Sequence, residues 1–127
     1  MKNNTILLID DDIDDHFIFS EVITEISSHF ICICSKSCAE AFNYLETAVS
    51  LPDFIFLDLN MPATNGLDCL LQLKKHPSLK KIPVIIYTTS DNPVDERACR
   101  DAGATLFFTK IADFDQLKIR LERILKI

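Results

Sequence analysis

The residues best suited to chemistry in this sequence are carboxylates that follow two apolar runs. Asp10 and Asp11 come directly after the run at residues 5–9, and Asp58 comes directly after the run at 54–57. Each run is continuous rather than alternating, which is typical of strands buried on both faces of a parallel sheet. Taken alone, Asp58 could simply be a residue that caps a turn, with no chemical role. Acids at the carboxyl ends of such strands nevertheless lie where open α/β sheets build their sites.

Length and composition indicate one domain with a substantial apolar core. The chain has 127 residues, of which 48% are hydrophobic, and a formal net charge of -6. That charge argues against nucleic acid as a partner, because phosphate backbones require a basic face. The sequence contains neither an apolar run of the length that spans a membrane nor a signal peptide, so we expect no membrane segment and a cytoplasmic location. We expect residues 1–127 to form a single domain with no output domain.

The cysteines and histidines do not form a recognisable framework. The five cysteines are an odd number without a Cys-x-x-Cys pair, so neither a disulfide framework nor a zinc ribbon is predicted. We expect them to be small buried hydrophobes. The three histidines are dispersed, without the spacing of metal ligands on one helix, and are expected at the surface.

Apolar periodicity and capping signals predict five strand-helix units. Ser37 and Glu40 form a capping box, Asn92 and Pro93 suit an N-cap and first helical residue, and Asp113 opens a second capping box. In the first predicted helix, apolar residues recur at helical spacing from Phe17 to Ile26, and the acids at its start, Asp12, Asp14 and Asp15, suit the helix dipole. The predicted elements are β1 at 5–9, α1 up to 26, β2 at 30–34, α2 from 37 to the stop at 51–52, β3 at 54–57, α3 at about 65–76, β4 at 83–87, α4 at 92–103, β5 at 106–109 and α5 from 113 onwards.

This order predicts an α/β fold, a flavodoxin-like doubly wound (βα)5 domain. Strands that alternate with helices imply right-handed crossovers and a five-stranded parallel sheet with helices on both faces. The common strand order for five units is 2-1-3-4-5, in which β1 and β3 are neighbours. Asp10, Asp11 and Asp58 should therefore converge at one edge of the sheet.

Three converging carboxylates need a cation, because they otherwise raise one another's pKa. Mg²⁺ prefers oxygen ligands and usually takes one or two carboxylates together with a phosphate. From the other side, β4 delivers the hydroxyl of Thr88 and β5 delivers the ammonium group of Lys110. A metal site, one cation, one hydroxyl and a carboxylate nucleophile are the parts that phosphoryl transfer requires.

As a set, these residues resemble the receiver domains of bacterial two-component response regulators, of the stand-alone, chemotaxis-regulator type. The resemblance covers the whole chain, from the acids after β1 through residues 57–62, 83–88 and 102–104 to Lys110. It implies that Asp58 is the phosphoacceptor for a histidine kinase or phosphotransfer protein. It also implies that Asp11, Asp58 and the main-chain carbonyl of Asn60 bind Mg²⁺ directly, with Asp10 acting mainly through a water.

The resemblance further implies a switch. Lys110 would pair with one phosphoryl oxygen, and Thr88 would donate to another and draw its loop toward Asp58. Phe107, where many members have tyrosine, would move inward, so that the face made of α4, β5 and α5 becomes the output surface for a downstream protein target. A homodimer through the same face is an open alternative, since β5 is an edge strand. Asn60, Thr89 and Ser90 match positions that tune hydrolysis of the acyl phosphate.

Two positions depart from the family pattern. Ile111 stands where the family typically has proline after the lysine, so we expect a trans peptide or a strained one, because a cis bond before a non-proline residue costs roughly 2.5–4 kcal/mol. Thr89 is bulkier than the small residue usual after the threonine.

The resemblance predicts a switch whose only chemistry is its own phosphorylation and dephosphorylation, and not an enzyme of another kind. The runner-up is a pseudo-receiver that binds proteins without phosphorylation. A flavodoxin is disfavoured because the loop after β1 is acidic, and a haloacid dehalogenase-type phosphatase because residues 58–60 lack its second acid.

Overall fold

Five parallel strands form one sheet in the order β2-β1-β3-β4-β5 in the computed structural model of the chain, which describes residues 4–61 and 65–125. Helices connect the strands, and the predicted fold class and strand order are confirmed. Pro62 and residues 126–127 lie outside the described residues. The elements are β1 (Asn4–Ile9), α1 (Ile13–Ile26), β2 (Phe30–Ser35), α2 (Cys38–Thr47), β3 (Phe54–Leu57), α3 (Gly66–Lys75), β4 (Val84–Thr88), α4 (Pro93–Asp101), β5 (Leu106–Thr109) and α5 (Phe114–Leu125).

The register of the central strands aligns their carboxyl ends. Ile9 of β1 is opposite Leu57 of β3, and Thr88 of β4 is opposite Thr109 of β5. The residue after each strand therefore emerges at the same edge of the sheet. Because β1 and β3 are neighbours, Asp10 and Asp58 leave that edge side by side.

Local signals set the helix starts as predicted. The Ser37 side chain accepts the N–H of Glu40 at 3.1 Å, and the Asn92 side chain accepts the N–H of Val94 at 2.9 Å. The Asp113 side chain accepts the N–H of Gln116 at 3.0 Å, as expected for the second capping box. Such side chains satisfy donors that the first helical turn leaves unpaired.

The sheet separates two apolar clusters. One packs α1 and α5 on one face, and the other packs α2, α3 and α4 on the opposite face. The first contains the ring contacts of Phe19 with Phe56 (5.0 Å between centroids) and of Tyr87 with Phe108 (4.8 Å). The second is largely aliphatic. Phe17, which the apolar periodicity grouped with the residues of α1, is instead 68% exposed.

The prediction that the cysteines form no disulfide is wrong for one pair. Cys38, at the start of α2, and Cys69, in the first turns of α3, form a disulfide with Cα atoms 5.8 Å apart. The two positions are 31 residues apart, so only the packing of the two helices brings them together. Cys99 is a buried free thiol as expected, whereas the free thiols Cys32 and Cys34 are only partly buried.

Candidate functional site

Backbone hydrogen bonds fix the site residues just beyond the strand ends. The N–H of Asp58 donates to the carbonyl of Ile9 at 2.9 Å, and the N–H of Asp10 donates to the carbonyl of Ser35 at 3.0 Å. The N–H of Lys110 donates to the carbonyl of Thr88 at 2.7 Å. Each bond continues the pairing of the sheet by one residue, so the rigid scaffold sets the direction in which these side chains leave.

Asp10, Asp11 and Asp58 come together as predicted. Each offers a carboxylate oxygen, and these oxygens all lie within 4.8 Å of one another. Asp10 and Asp58 are buried, whereas Asp11 is exposed. Three oxygen ligands of this kind, open to solvent on one side, fit a hard divalent cation that keeps some of its water.

The electrostatics of Asp10 also favour a cation. Burial raises the pKa of its carboxyl group, and this outweighs the lowering effects of Lys110 and of the N–H of Asp12. Its Oδ2 atom is fully buried and, within the described part of the chain, makes no well-aligned hydrogen bond, although Lys110 lies close. A buried anionic oxygen in this state has capacity for a further positive partner.

Lys110 lies at the centre of three carboxylates. Its Nζ atom is 2.7 Å from Oδ2 of Asp10, 2.5 Å from Oδ2 of Asp15 and 3.1 Å from Oδ2 of Asp58. Burial alone would lower the pKa of Lys110, but the contacts with Asp10 and Asp15 and the charge of Asp58 raise it overall. The side chain is therefore a fixed positive charge held among the carboxylates of Asp10, Asp15 and Asp58.

Asp15 is a site residue that the sequence reasoning missed. It was assigned only to the helix dipole of α1, yet its carboxylate makes the shortest of the three contacts to Lys110. The side chain is 25% exposed and comes from the first turn of α1. Its position one helical turn beyond Asp11 was the available signal, because α1 starts at the same sheet edge.

Asn60 connects the Asp58 loop to β4. Its N–H donates to Oδ1 of Asp58 at 3.1 Å, while its side-chain amide donates to the hydroxyl oxygens of Thr88 at 3.3 Å and Thr89 at 3.2 Å. Thr88 is fully buried and also accepts the N–H of Ser90 at 3.4 Å. Four of the five positions predicted to tune or switch the site, all except Phe107, thus form one hydrogen-bonded group.

Ser90 extends this group to α4, whereas Phe107 of β5 lies outside it and packs against the aliphatic cluster. The Ser90 hydroxyl donates to Asp95 of α4 at 2.7 Å, which links the loop after β4 to that helix. Phe107 is half-buried and borders a cavity of about 340 Å³ that Ile111 and Arg120 also line. The Lys110–Ile111 peptide is trans, as expected, since the described residues contain no cis peptide bond.

A close approach of α3 fixes the loop that carries Asp58. A Cβ atom added to Gly66 would lie 2.4 Å from the Cα of Leu59 and 2.5 Å from the carbonyl oxygen of Asp58. The N–H of Gly66 also donates to the carbonyl of Leu59 at 3.1 Å. Only glycine fits such a contact between two backbones.

The comparisons with known proteins agree with this geometry. The family model described as "Response regulator receiver domain" matches residues 6–122. The chain belongs to the response regulator receiver domain family. Members of this family are signalling phosphoacceptors, and they bind a divalent metal at an acidic pocket.

Among the relatives of this receiver is the response regulator Rcp1 of Synechocystis sp., which is 32% identical over 118 residues. That match covers 88% of this chain and 80% of Rcp1. The crystal structure of the phosphorylated cyanobacterial phytochrome response regulator RcpA is 30% identical and superposes with a TM-score of 0.87, covering 97% of this chain and 91% of RcpA. The crystal structure of the Mn²⁺-bound form of Rcp1 is 29% identical, with a TM-score of 0.82 and coverages of 95% and 91%.

None of the described helices combines the length and the apolar character that crossing a membrane requires.

Proposed function

We propose that this receiver accepts a phosphoryl group from a histidine kinase, or from a phosphotransfer protein, onto Asp58 in a Mg²⁺-dependent reaction. The observation that carries the proposal is the meeting of Asp10, Asp11 and Asp58 with Lys110 at one edge of the sheet. We propose that it acts in the cytoplasm as a switch whose chemistry is its own phosphorylation and dephosphorylation. The pseudo-receiver alternative finds no support in the comparisons.

Asp58 is the nucleophile in this proposal. One of its carboxylate oxygens attacks phosphorus, the bond from phosphorus to the donor nitrogen breaks, and the electron pair of that bond leaves with the donor imidazole. In-line attack needs a positioned carboxylate and neutralised phosphoryl oxygens rather than an elaborate catalytic apparatus. When bound to Asp11, Asp58 and the Asn60 carbonyl, with Asp10 acting through a water, Mg²⁺ would supply that neutralisation.

Lys110 and Thr88 supply the remaining contacts to the phosphoryl group. An ammonium group has three donors, and in the structure Lys110 donates hydrogen bonds to Asp15 and Asp58 and forms a close ion pair with Asp10. Pairing with a phosphoryl oxygen therefore requires Lys110 to give up at least part of one existing contact. Thr88 accepts hydrogen bonds from Asn60 and Ser90 through its oxygen, so its proton can be donated to the phosphoryl group.

We propose that the signal leaves through α4, β5 and α5. Movement of Thr88 toward Asp58 would alter the Asn60 contact and, through Ser90, the contact with Asp95 on α4. Phe107 would then turn inward, which changes the surface presented to a downstream protein or to a second copy of the chain. Affinity capture with and without beryllofluoride, a mimic of the phosphoryl group, would identify partners that recognise the altered surface.

Modification of Asp58 is the first experiment. The protein is incubated with Mg²⁺ and acetyl phosphate, and intact mass is followed for a base-labile phosphoryl adduct. We expect the adduct on the wild type and on Asp91→Asn, an exposed acid in the loop after β4, but not on Asp58→Asn. An adduct on Asp58→Asn, or none on the folded wild type, would overturn the proposal.

Metal binding is tested separately. Addition of Mg²⁺ should protect the folded protein against urea, and Asp11→Ala should remove this protection while leaving the fold intact. The same variant should also lose phosphorylation by acetyl phosphate. Equal protection of the variant and the wild type would show that the metal assignment is wrong.

A further inference from the structure

Two free thiols lie next to each other on the edge strand β2. Cys32 and Cys34 are alternate residues of the strand, so both side chains face the cluster that α1 and α5 cover. Their Sγ atoms are 4.0 Å apart, within hydrogen-bonding distance for sulfur. Both residues are partly buried rather than enclosed, unlike Cys99, which is 1% exposed.

A hydroxyl group of α1 completes the surroundings of Cys34. The Oγ atom of Ser20 lies 3.6 Å from its Sγ atom, so the sulfur has two polar hydrogen donors within reach, the Cys32 thiol and the Ser20 hydroxyl. His16 lies one helical turn before Ser20 on the same helix. Donors that converge on one sulfur stabilise its thiolate form.

The titration behaviour agrees with this geometry. The hydrogen bond from Cys32 lowers the pKa of Cys34 to about 6, and Ser20 and the charge of His16 act in the same direction against burial and the charge of Asp10. The same hydrogen bond and burial raise the pKa of Cys32, against a lowering effect of Ser20. The directions of the two pKa shifts therefore favour Cys34 as the thiolate of the pair and Cys32 as its donor.

We propose that Cys34 is a nucleophilic modification site, activated by Cys32 and Ser20, that reacts with small uncharged electrophiles such as hydrogen peroxide. Low-pKa thiolates that solvent can reach are the cysteines that oxidants attack first, and Cys34 is only partly buried. The preference for an uncharged reagent follows from the acids around Asp10 and from the net charge of -6, which repel anions. This site is independent of the phosphoacceptor function.

The reaction with peroxide is a two-electron oxidation of sulfur. The Cys34 thiolate attacks one peroxide oxygen, a sulfur–oxygen bond forms and the oxygen–oxygen bond breaks. The leaving hydroxide takes a proton from solvent and becomes water. The product is Cys34 sulfenic acid, and the oxidant is the peroxide itself.

Site-specific alkylation tests the proposal without any oxidant. The folded protein, with its Cys38–Cys69 disulfide intact, is pulsed with iodoacetamide at neutral pH, and the labelled peptides are quantified by mass spectrometry. Cys34 should be labelled at least tenfold faster than Cys32 and Cys99. A second sample treated with hydrogen peroxide and then dimedone should carry the sulfenic acid adduct on Cys34.

Variants distinguish activation of Cys34 by its neighbours from simple solvent exposure of its thiol. Cys32→Ala and Ser20→Ala should each slow labelling of Cys34 several-fold, whereas Cys32→Ser, which keeps a donor, should restore much of the rate. Thr47→Ala, which removes an exposed hydroxyl that donates to the carbonyl of Asn43 within α2, is the matched control and should leave the rate unchanged. Labelling of buried Cys99 reports any loss of folding in each variant.

The opposite results would overturn the proposal. They are labelling of Cys32 or Cys99 as fast as Cys34 in the folded wild type, or a Cys34 rate that neither Cys32→Ala nor Ser20→Ala changes. If an alanine variant exposes Cys99, the order of labelling in the wild type and the Cys32→Ser result decide the question.

Discussion

The two faces of the sheet differ in composition and in what they contribute to the site. The face covered by α1 and α5 carries the aromatic rings, the free thiols Cys32 and Cys34, and the helix that supplies Asp15. The face covered by α2, α3 and α4 is mainly aliphatic and is joined by the Cys38–Cys69 disulfide. The face covered by α1 and α5 therefore carries the polar and reactive groups. The face covered by α2, α3 and α4 contributes mainly structural support.

The aromatic face reaches the site directly. The Tyr87 ring packs on Phe108 within the cluster, and its centroid is 5.9 Å from Nζ of Lys110. An ammonium group at this distance from an aromatic ring is within the range of a cation–π contact. Packing on this face is thus coupled to the position of the Lys110 ammonium group, which contacts Asp58. Four experiments test the difference between the two faces.

The largest effect should come from the aromatic face. Phe19→Ala removes a ring that is 1% exposed and that contacts both Phe56 and Tyr87. We expect the free energy of unfolding to fall by about 3–5 kcal/mol, measured by urea denaturation. Val94→Ala, at a position of α4 that is 72% exposed, is the control and should change it by less than about 0.5 kcal/mol. A small effect at Phe19 would mean that the aromatic cluster is not a main source of stability.

Reduction of the disulfide should have the next largest effect, on the other face. Closing a loop between positions 31 residues apart stabilises the fold by about 3.7 kcal/mol in the chain-entropy treatment. We expect a reductant to lower the free energy of unfolding of the wild type by about that amount and to leave Cys38→Ser unaffected. A wild type that is equally stable with and without reductant would show that packing alone holds α2 to α3.

Removing the buried charge of Asp10 should stabilise the metal-free protein. Burial raises the pKa of Asp10 above its ordinary value of 3.8, so at increasing pH the unfolded chain loses this proton before the folded chain does. Asp10 therefore lowers the free energy of unfolding progressively as the pH rises above about 4. This decrease levels off once Asp10 has also ionised in the folded state. Without metal, Asp10→Asn should raise the free energy of unfolding at neutral pH by on the order of 1 kcal/mol.

Two further measurements make this prediction specific. The difference between Asp10→Asn and the wild type should shrink as the pH is lowered toward 4, and saturating Mg²⁺ should reverse its sign. Asp91→Asn, an exposed acid, should follow the wild type throughout. A metal-free Asp10→Asn protein that is less stable than the wild type at neutral pH would mean that the Lys110 contact outweighs burial.

The smallest effect concerns Asp15, the acid that the aromatic face adds to the site. Asp15→Asn removes one of three negative partners of Lys110, so the ammonium group should turn more readily toward a phosphoryl mimic. We expect beryllofluoride to bind a few-fold more tightly, with stability changed by less than about 1 kcal/mol. Asp14→Asn, at the exposed neighbouring position, should bind like the wild type. Weaker binding by Asp15→Asn would instead identify Asp15 as a residue that positions Lys110.

Local signals in the sequence predicted much of the fold and part of the site. Continuous apolar runs located the strands, and their ends located Asp10, Asp58 and Lys110, because the parallel topology aligns those ends. The N-caps at Ser37 and Asn92 could also be predicted from the sequence, since a cap depends only on its own helical turn. The spacing of acids, hydroxyl and lysine then sufficed to indicate the family.

The features that were missed depend on contacts between distant elements. The disulfide requires α2 and α3 to pack side by side, and the role of Asp15 requires the first turn of α1 to face the end of β5. The exposure of Phe17 follows from the rotation of α1 on the sheet, which apolar content alone does not specify. In each case the sequence contains the residue type, but the tertiary arrangement decides its role.

The contact at Gly66 restricts where movement can begin. The peptide that follows Asp58 lies directly against the first turn of α3, and the disulfide ties that helix to α2. A shift in this region would have to displace two helices together. The loop after β4 is joined to Asn60, Asp95 and Thr109 by hydrogen bonds that can be exchanged singly, so rearrangement starting at Asp58 has an easier route toward α4 than toward α3.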